Sequence, residues 1–134
     1  MVLEYRNHVR KYLRFTPSMP FNGSIRIVRV GDRVVSTGTT TVKILEICQG
    51  GLRFVTSLRL PMDSNFIIEV NFTIGGEEHQ IEGYAVHCEN SEVLEYVYGI
   101  SFITTDDRLK RSLQKQYSVE AEKYRKHIFI LNTD

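Results

Sequence analysis

The strongest constraint on the fold is residues 66–74, where large apolar and polar side chains alternate. Apolar residues occupy every second position from Phe66 to Ile74, and polar residues such as Glu69 and Thr73 stand between them. Because successive side chains of a β-strand point to opposite faces, a period of two predicts a strand. One face of this strand should lie in a core and the other in water.

Other β-branched and aromatic runs surround this strand and are separated by turn residues. Gly31-Asp32 predicts a hairpin turn, and the pairs Gly50-Gly51 and Gly75-Gly76 mark two further turns. About six strands result, within residues 24–35, 39–47, 52–56, 66–74, 80–88 and 96–102. Strands with no helix between them favour an antiparallel sheet closed into a barrel or sandwich.

The pattern becomes helical after Thr104. Apolar residues from Leu109 to Ile128 recur every three or four positions among charged ones, which predicts a helix over 105–128. Thr104 followed by Asp107 has the form of a capping box. The basic exposed face of this helix predicts a surface for a partner, with a homodimer as one form of it.

The length of 134 residues predicts a single domain, because nothing resembling a linker interrupts the chain. We divide residues 1–134 into an N-terminal arm (1–20), a β-barrel (21–104) and the C-terminal helix (105–128). The net charge is only +1, but residues 1–33 carry seven cationic side chains against Glu4 and Asp32. This distribution favours binding of a small anion and argues against a general nucleic-acid binder.

Cysteine content and hydropathy predict a cytoplasmic location. Two cysteines, Cys48 and Cys88, do not make the disulfide framework of a secreted mini-domain, so reduced thiols are expected. No apolar run approaches the roughly 18 residues that a membrane span needs, and no membrane insertion is expected.

Three segments with a defined order carry a family resemblance. They are Arg-Lys-Tyr-Leu-Arg-Phe at 10–15, Glu-Ile-Cys-Gln-Gly-Gly-Leu-Arg-Phe at 46–54, and Tyr-Gly-Ile-Ser-Phe at 98–102. Together they resemble the PilZ family, in which an RxxxR motif and a D/N-x-S-x-x-G motif bind cyclic diguanylate (cyclic di-GMP). The resemblance implies a mainly β fold, a six-stranded antiparallel PilZ-like β-barrel followed by a C-terminal α-helix.

The resemblance also implies a set of ligand-binding residues. They are Arg10, Lys11, Arg14, Glu46, Cys48, Gly50 and Gly51. A guanidinium group suits this ligand because it forks onto phosphate oxygens or guanine O6 and N7 and stacks on a purine. Glu46 replaces the family's Asp or Asn and Cys48 replaces its Ser, which weakens the expected hydrogen bonding. The glycines predict a positive φ or a close approach of the ligand.

The implied function is that of a bacterial cyclic di-GMP receptor without catalysis. It would relay the signal to a protein effector that controls motility, adhesion or exopolysaccharide. The first alternative is a degenerate PilZ-like domain that binds no nucleotide and acts through protein contacts. An OB-like barrel on single-stranded nucleic acid is a weaker alternative, because Glu69 should lie on the outer face of the best strand.

No pattern indicates an enzyme, a metal site or a cofactor. The four histidines, His8, His79, His87 and His127, have no ligand spacing and are expected at the surface or in cross-strand positions. The two cysteines belong to no CxxC or Cys/His pattern, and Cys48 has no evident His partner that would make it a nucleophile. Arg53 alternates with Leu52 and Phe54, so we expect it outside the core as a surface residue.

Overall fold

The computed structural model describes residues 20–104, except 93, and residues 106–116. Within these ranges the chain forms seven strands and one helix, α1, at 107–116. The strands are β1 (Phe21–Val30), β2 (Arg33–Val34), β3 (Thr40–Cys48), β4 (Gly51–Thr56), β5 (Phe66–Ile74), β6 (Glu77–Glu92) and β7 (Glu95–Phe102). None of the helices in the described part is long and apolar enough to cross a bilayer.

Six of the strands close into a barrel. Their order around it is β1-β3-β4-β7-β6-β5, every pairing is antiparallel, and β5 returns to pair with β1. The short β2 continues beside the far half of β1 through the turn at Gly31-Asp32. The predicted six-stranded antiparallel barrel is therefore confirmed, and β6 is longer than its sequence pattern indicated.

The barrel interior is filled by the inward-facing aliphatic and aromatic side chains of all six strands, and α1 closes one end. Leu109 of α1 has 0% exposure and belongs to the same apolar cluster as Ile44, Phe54 and Tyr98. Strands β3, β5 and β7 end here, and strands β1, β4 and β6 begin here, because neighbouring strands are antiparallel. This end therefore also carries the turns Gln49-Gly50 and Gly75-Gly76. We call it the helix end of the barrel.

The cap of the helix lies two residues after the expected Thr104. Asp106 is the cap, since its Oδ1 accepts a hydrogen bond from the Arg108 N–H at 2.8 Å and its carbonyl accepts from Lys110 N–H at 3.1 Å. The prediction that Thr104 caps the helix with Asp107 was wrong. An Asp side chain at this position satisfies a free N–H of the first turn directly.

Hydrogen bonds among three polar side chains connect α1 to the β5–β6 hairpin. The Ser112 hydroxyl donates to Glu77 Oε2 at 2.7 Å, so its oxygen is left to accept from His79 Nε2 at 3.0 Å. His79 is only 3% exposed, and it pairs with Phe72 of β5 and stacks on its ring, so it occupies one of the expected cross-strand positions and is buried there. Burial, followed by the charge of Arg108, lowers the pKa of His79.

The alternation predicted for β5 is found, but its outer face is not uniformly wet. Ile68, Val70, Phe72 and Ile74 are buried as expected. Glu69, on the outer face, is also buried and accepts two hydrogen bonds from Arg26 of β1, at 2.8 and 3.1 Å. The Arg26 hydrogen bonds lower the pKa of Glu69 to about 2.

Candidate functional site

The segment Glu46–Gly51 forms the end of β3, a two-residue turn and the first residue of β4. Cys48 pairs with Gly51 across the turn, and Glu46 pairs with Arg53. Between them Ile47 pairs with Leu52, and both side chains are buried in the core. Glu46, Cys48, Gly51 and Arg53 therefore share the outer face of the barrel at its helix end.

A β-bulge is what turns Glu46 outward. The register of β3 against β4 shifts between Ile44 and Glu46, so that Ile44 and Ile47, three residues apart, both enter the core. In an uninterrupted strand Glu46 would share the face of Ile44 and point into the barrel. Bulges of this kind redirect a side chain and are common beside binding sites.

The carboxylate of Glu46 lies in a row of acidic and basic side chains that crosses four strands, from β3 to β6. Its Oε2 is 3.6 Å from Arg53 Nη1, and Arg53 Nη2 is 3.8 Å from Glu89 Oε1 on β6. Glu89 Oε1 is also 3.3 Å from His87 Nε2. Glu46 is 7% exposed, so the guanidinium provides the opposite charge that a nearly buried carboxylate requires.

Arg53 is the site residue that sequence reasoning missed. Its position outside the core is as expected, but its role is more than that of a surface charge, because it pairs with Glu46. The register Glu46 to Arg53 depends on the bulge in β3, which local sequence patterns do not reveal. The alternation of apolar and polar residues in β4 predicted that the Arg53 side chain points outward, but it did not predict which side chains lie next to it.

Gly51 is required by the packing of strands. It lacks a left-handed φ, and a Cβ at this position would collide with the carbonyl oxygen of Ile100 on β7. The neighbouring main chain thus approaches Gly51 closely and the expected positive φ is absent, whereas the expected contact with the ligand stays a prediction. Gly50 lies in the turn, and its carbonyl accepts a hydrogen bond from Phe102 N–H at 2.9 Å.

Cys48 is a half-buried free thiol, and Cys88 is an exposed one. Cys48 lies opposite Gly51, so its Sγ belongs to the same outer face as Glu46. A thiol is a weak donor and a weak acceptor. Within the described residues, no group of three or more His, Cys, Asp or Glu side chains is placed to hold a metal ion.

The residues of the first motif, Arg10, Lys11 and Arg14, lie outside the described residues. The described chain starts at Pro20, and Phe21 pairs with Ile44 of β3. The chain thus enters the barrel at the helix end, beside the strand that carries Glu46.

Comparisons with known proteins give one family and one fold. The family model of the PilZ domain matches residues 4–118. Among solved structures, YcgR of Escherichia coli in complex with cyclic di-GMP is similar with 16% identity and a TM-score of 0.61, over 91% of this chain and 50% of YcgR. The chain therefore spans half of the length of that protein.

The isolated PilZ domain of Escherichia coli YcgR with cyclic di-GMP is similar over nearly its whole length. The identity is 15% and the TM-score 0.56, over 90% of this chain and 98% of that domain. No curated protein matches the sequence significantly. At these identities the structural likeness shows a shared fold.

Proposed function

This chain belongs to the PilZ domain family, and from that premise we propose that it is a receptor for cyclic di-GMP that relays the signal to a protein partner. The observation that carries the proposal is the placement of the Glu46–Gly51 turn. This turn lies on the outer face of the barrel, at the end where the segment bearing the first motif joins β1. A nucleotide at this position would bridge the N-terminal segment and the barrel.

Each proposed group has a distinct chemical role. Arg10 and Arg14 would fork onto the phosphates and guanines, and Lys11 would add a positive charge. The Glu46 carboxylate would accept from the N–H groups on the guanine edge. Cys48 Sγ and the main chain at Gly50 and Gly51 would line the rest of the contact. The YcgR structures, which are complexes with cyclic di-GMP, support this choice of ligand.

The two departures from the family pattern are compatible with binding. The Glu46 carboxylate is one methylene farther from the main chain than an Asp carboxylate would be, but the bulge already directs the side chain outward. Replacing a Ser hydroxyl by the Cys48 thiol removes about one hydrogen bond, which is worth roughly 0.5 to 1.5 kcal/mol or about 2- to 13-fold in affinity. With the proposed arginine contacts in place, binding would persist after a loss of affinity of that size.

The surface proposed for relay to a protein partner is the exposed face of α1. Within 107–116 the helix carries Arg108, Lys110, Arg111 and Lys115, all exposed, against one acidic residue, Asp107. The helix closes the barrel end at which the nucleotide would bind, so ligand and partner surfaces adjoin. An acidic surface on an effector protein, or on a second copy of the chain, would complement it. In this reading the domain acts in the cytoplasm, and motility, adhesion or exopolysaccharide production would respond.

The test is a calorimetric titration with cyclic di-GMP at near-physiological salt. We expect micromolar or tighter binding by the unmodified chain and loss of binding in Arg10→Ala and Arg14→Ala. Arg33→Ala is the matched control, because Arg33 is an exposed arginine of β2, at the barrel end opposite the proposed site. Equal losses in all three variants would show a general effect of charge. No binding by the unmodified chain would refute the proposal and favour a domain that acts through protein contacts alone.

A further inference from the structure

We propose that Arg53 is a positioning residue that gives the site its preference for guanine, by holding the Glu46 carboxylate where it can accept from the guanine edge. This inference rests on the proposed function and adds a residue and a selectivity to it. It begins from the cross-strand pair formed by Glu46 and Arg53.

The first step is the burial of Glu46. Its side chain is 9% exposed and that of Arg53 is 35% exposed, with 3.6 Å between Oε2 and Nη1. A carboxylate that has left most of its water needs a cation or donors to remain in place. Arg53 is the cation directly opposite it, and their shared face is the face on which the Glu46–Gly51 turn is presented.

The second step is the space that lets Arg53 reach across β7. Gly99 lies between Arg53 and His87 in register, and it has no side chain to separate them. The guanidinium therefore extends to Glu89 on β6, with Nη2 at 3.8 Å from Oε1. Arg53 is thus shared between Glu46 on β3 and Glu89 on β6, and Gly99 leaves the intervening strand β7 without a side chain at this position.

The third step is the looseness of both contacts. Distances of 3.6 and 3.8 Å exceed those of charge-assisted hydrogen bonds, so the guanidinium is held by charge and not by a fixed fork. Glu89 competes with Glu46 for it from an exposed position. When the nucleotide arrives, a shift of Arg53 toward Glu46 would orient the carboxylate more firmly, and Glu89 would lose its share.

The fourth step is what an oriented carboxylate distinguishes. The Watson–Crick edge of guanine presents two adjacent donors, N1–H and N2–H, and an ionised carboxylate accepts both. Adenine presents an acceptor at N1 beside a donor at N6, so a carboxylate gains at most one of the two hydrogen bonds and faces the N1 lone pair. A well-placed Glu46 thus favours cyclic di-GMP over cyclic di-AMP, whereas phosphate contacts serve both ligands equally.

The experiment measures the ratio of the two dissociation constants, for cyclic di-AMP and cyclic di-GMP, by calorimetry. We expect Arg53→Met to lower this ratio by about tenfold, since a bidentate contact discriminates by roughly 5- to 150-fold. Arg53→Lys, which keeps the positive charge, should restore part of the preference. Glu89→Gln, which removes only the competitor, should keep or raise it. Thermal unfolding of each variant checks that the barrel is intact.

The outcomes separate the two proposals. If the unmodified chain binds cyclic di-GMP and Arg53→Met weakens both ligands equally, or neither, the role of Arg53 in selectivity is overturned while the receptor function stands. If Glu89→Gln lowers the ratio as much as Arg53→Met, the charged row acts as a whole and the specific role is likewise overturned. If the unmodified chain binds neither nucleotide, the receptor function itself fails.

Discussion

Replacing Gly51 by alanine separates a structural from a ligand-binding role of this motif residue. A Cβ at Gly51 would meet the Ile100 carbonyl oxygen of β7 more than about 1 Å inside an ordinary C···O contact. The obstacle is main chain, which no side-chain rotation relieves. Overpacking of this kind costs typically about 1 to 3 kcal/mol, and we place Gly51→Ala at the upper end. Its midpoint of thermal unfolding should fall by roughly 10 °C.

Gly99→Ala is the matched control for this change. Gly99 also lies in a strand of the same outer face, but a Cβ there would be 3.3 Å from the Cβ of His87. His87 is exposed and free to shift slightly. The lower main-chain entropy of alanine in the unfolded state offsets part of the remaining cost. We expect the stability of Gly99→Ala to lie within about 0.5 kcal/mol of the unmodified chain.

The assay is urea and thermal unfolding of both variants without ligand, followed by titration with cyclic di-GMP. A large loss of stability in Gly51→Ala alone supports the packing role, and any loss of binding would then follow from a disturbed β4–β7 pair. Equal stability of the two variants would refute the steric argument. Loss of binding with unchanged stability would indicate that Gly51 acts by direct contact with the ligand.

Two further predictions concern stability. The folded-state pKa of Glu69, about 2, lies below its ordinary 4.5, so its ion pair with Arg26 stabilises the fold above pH 4.5 and loses effect as pH falls toward 2. The full pKa difference corresponds to about 3.4 kcal/mol of folding stability, and solvent screening at the partly exposed Arg26 reduces this to about 1 to 2 kcal/mol. Glu69→Gln should therefore flatten the dependence of unfolding free energy on pH between about 4.5 and 2. An unchanged pH dependence would contradict this. Asp106→Ala should cost about 1 kcal/mol in urea unfolding through loss of the helix cap, whereas Asp107→Ala, which removes no cap, should cost less.

Local patterns were sufficient for most of the fold. Alternation in β5 and β7 and the glycine turns at Gly31 and Gly75-Gly76 depend on neighbours in the sequence, and the structure has them as predicted. The helix cap was misplaced, because Asp106 and not Thr104 accepts the hydrogen bond from the first turn.

The candidate site was less predictable from local patterns. Glu46, Cys48, Gly50 and Gly51 were found as a motif and do occupy one turn of the barrel. Their roles were not evident, since the contact between Gly51 and Ile100 joins residues on different strands. The binding roles of Arg10, Lys11 and Arg14 stay predictions, because these residues lie outside the described ranges.

The sequence by itself determined the types of the elements and the six strands of the barrel, because strand and helix periods are properties of consecutive residues. It also indicated the inward-facing apolar side chains of β5 and β7, but not the burial of Glu69 or the outward turn of Glu46 at the β3 bulge. Only the tertiary structure decided that Arg53 lies against Glu46 and reaches Glu89, and that His79 is buried against Ser112. The physical reason is that these contacts depend on strand register and barrel closure, which the whole set of pairings selects together.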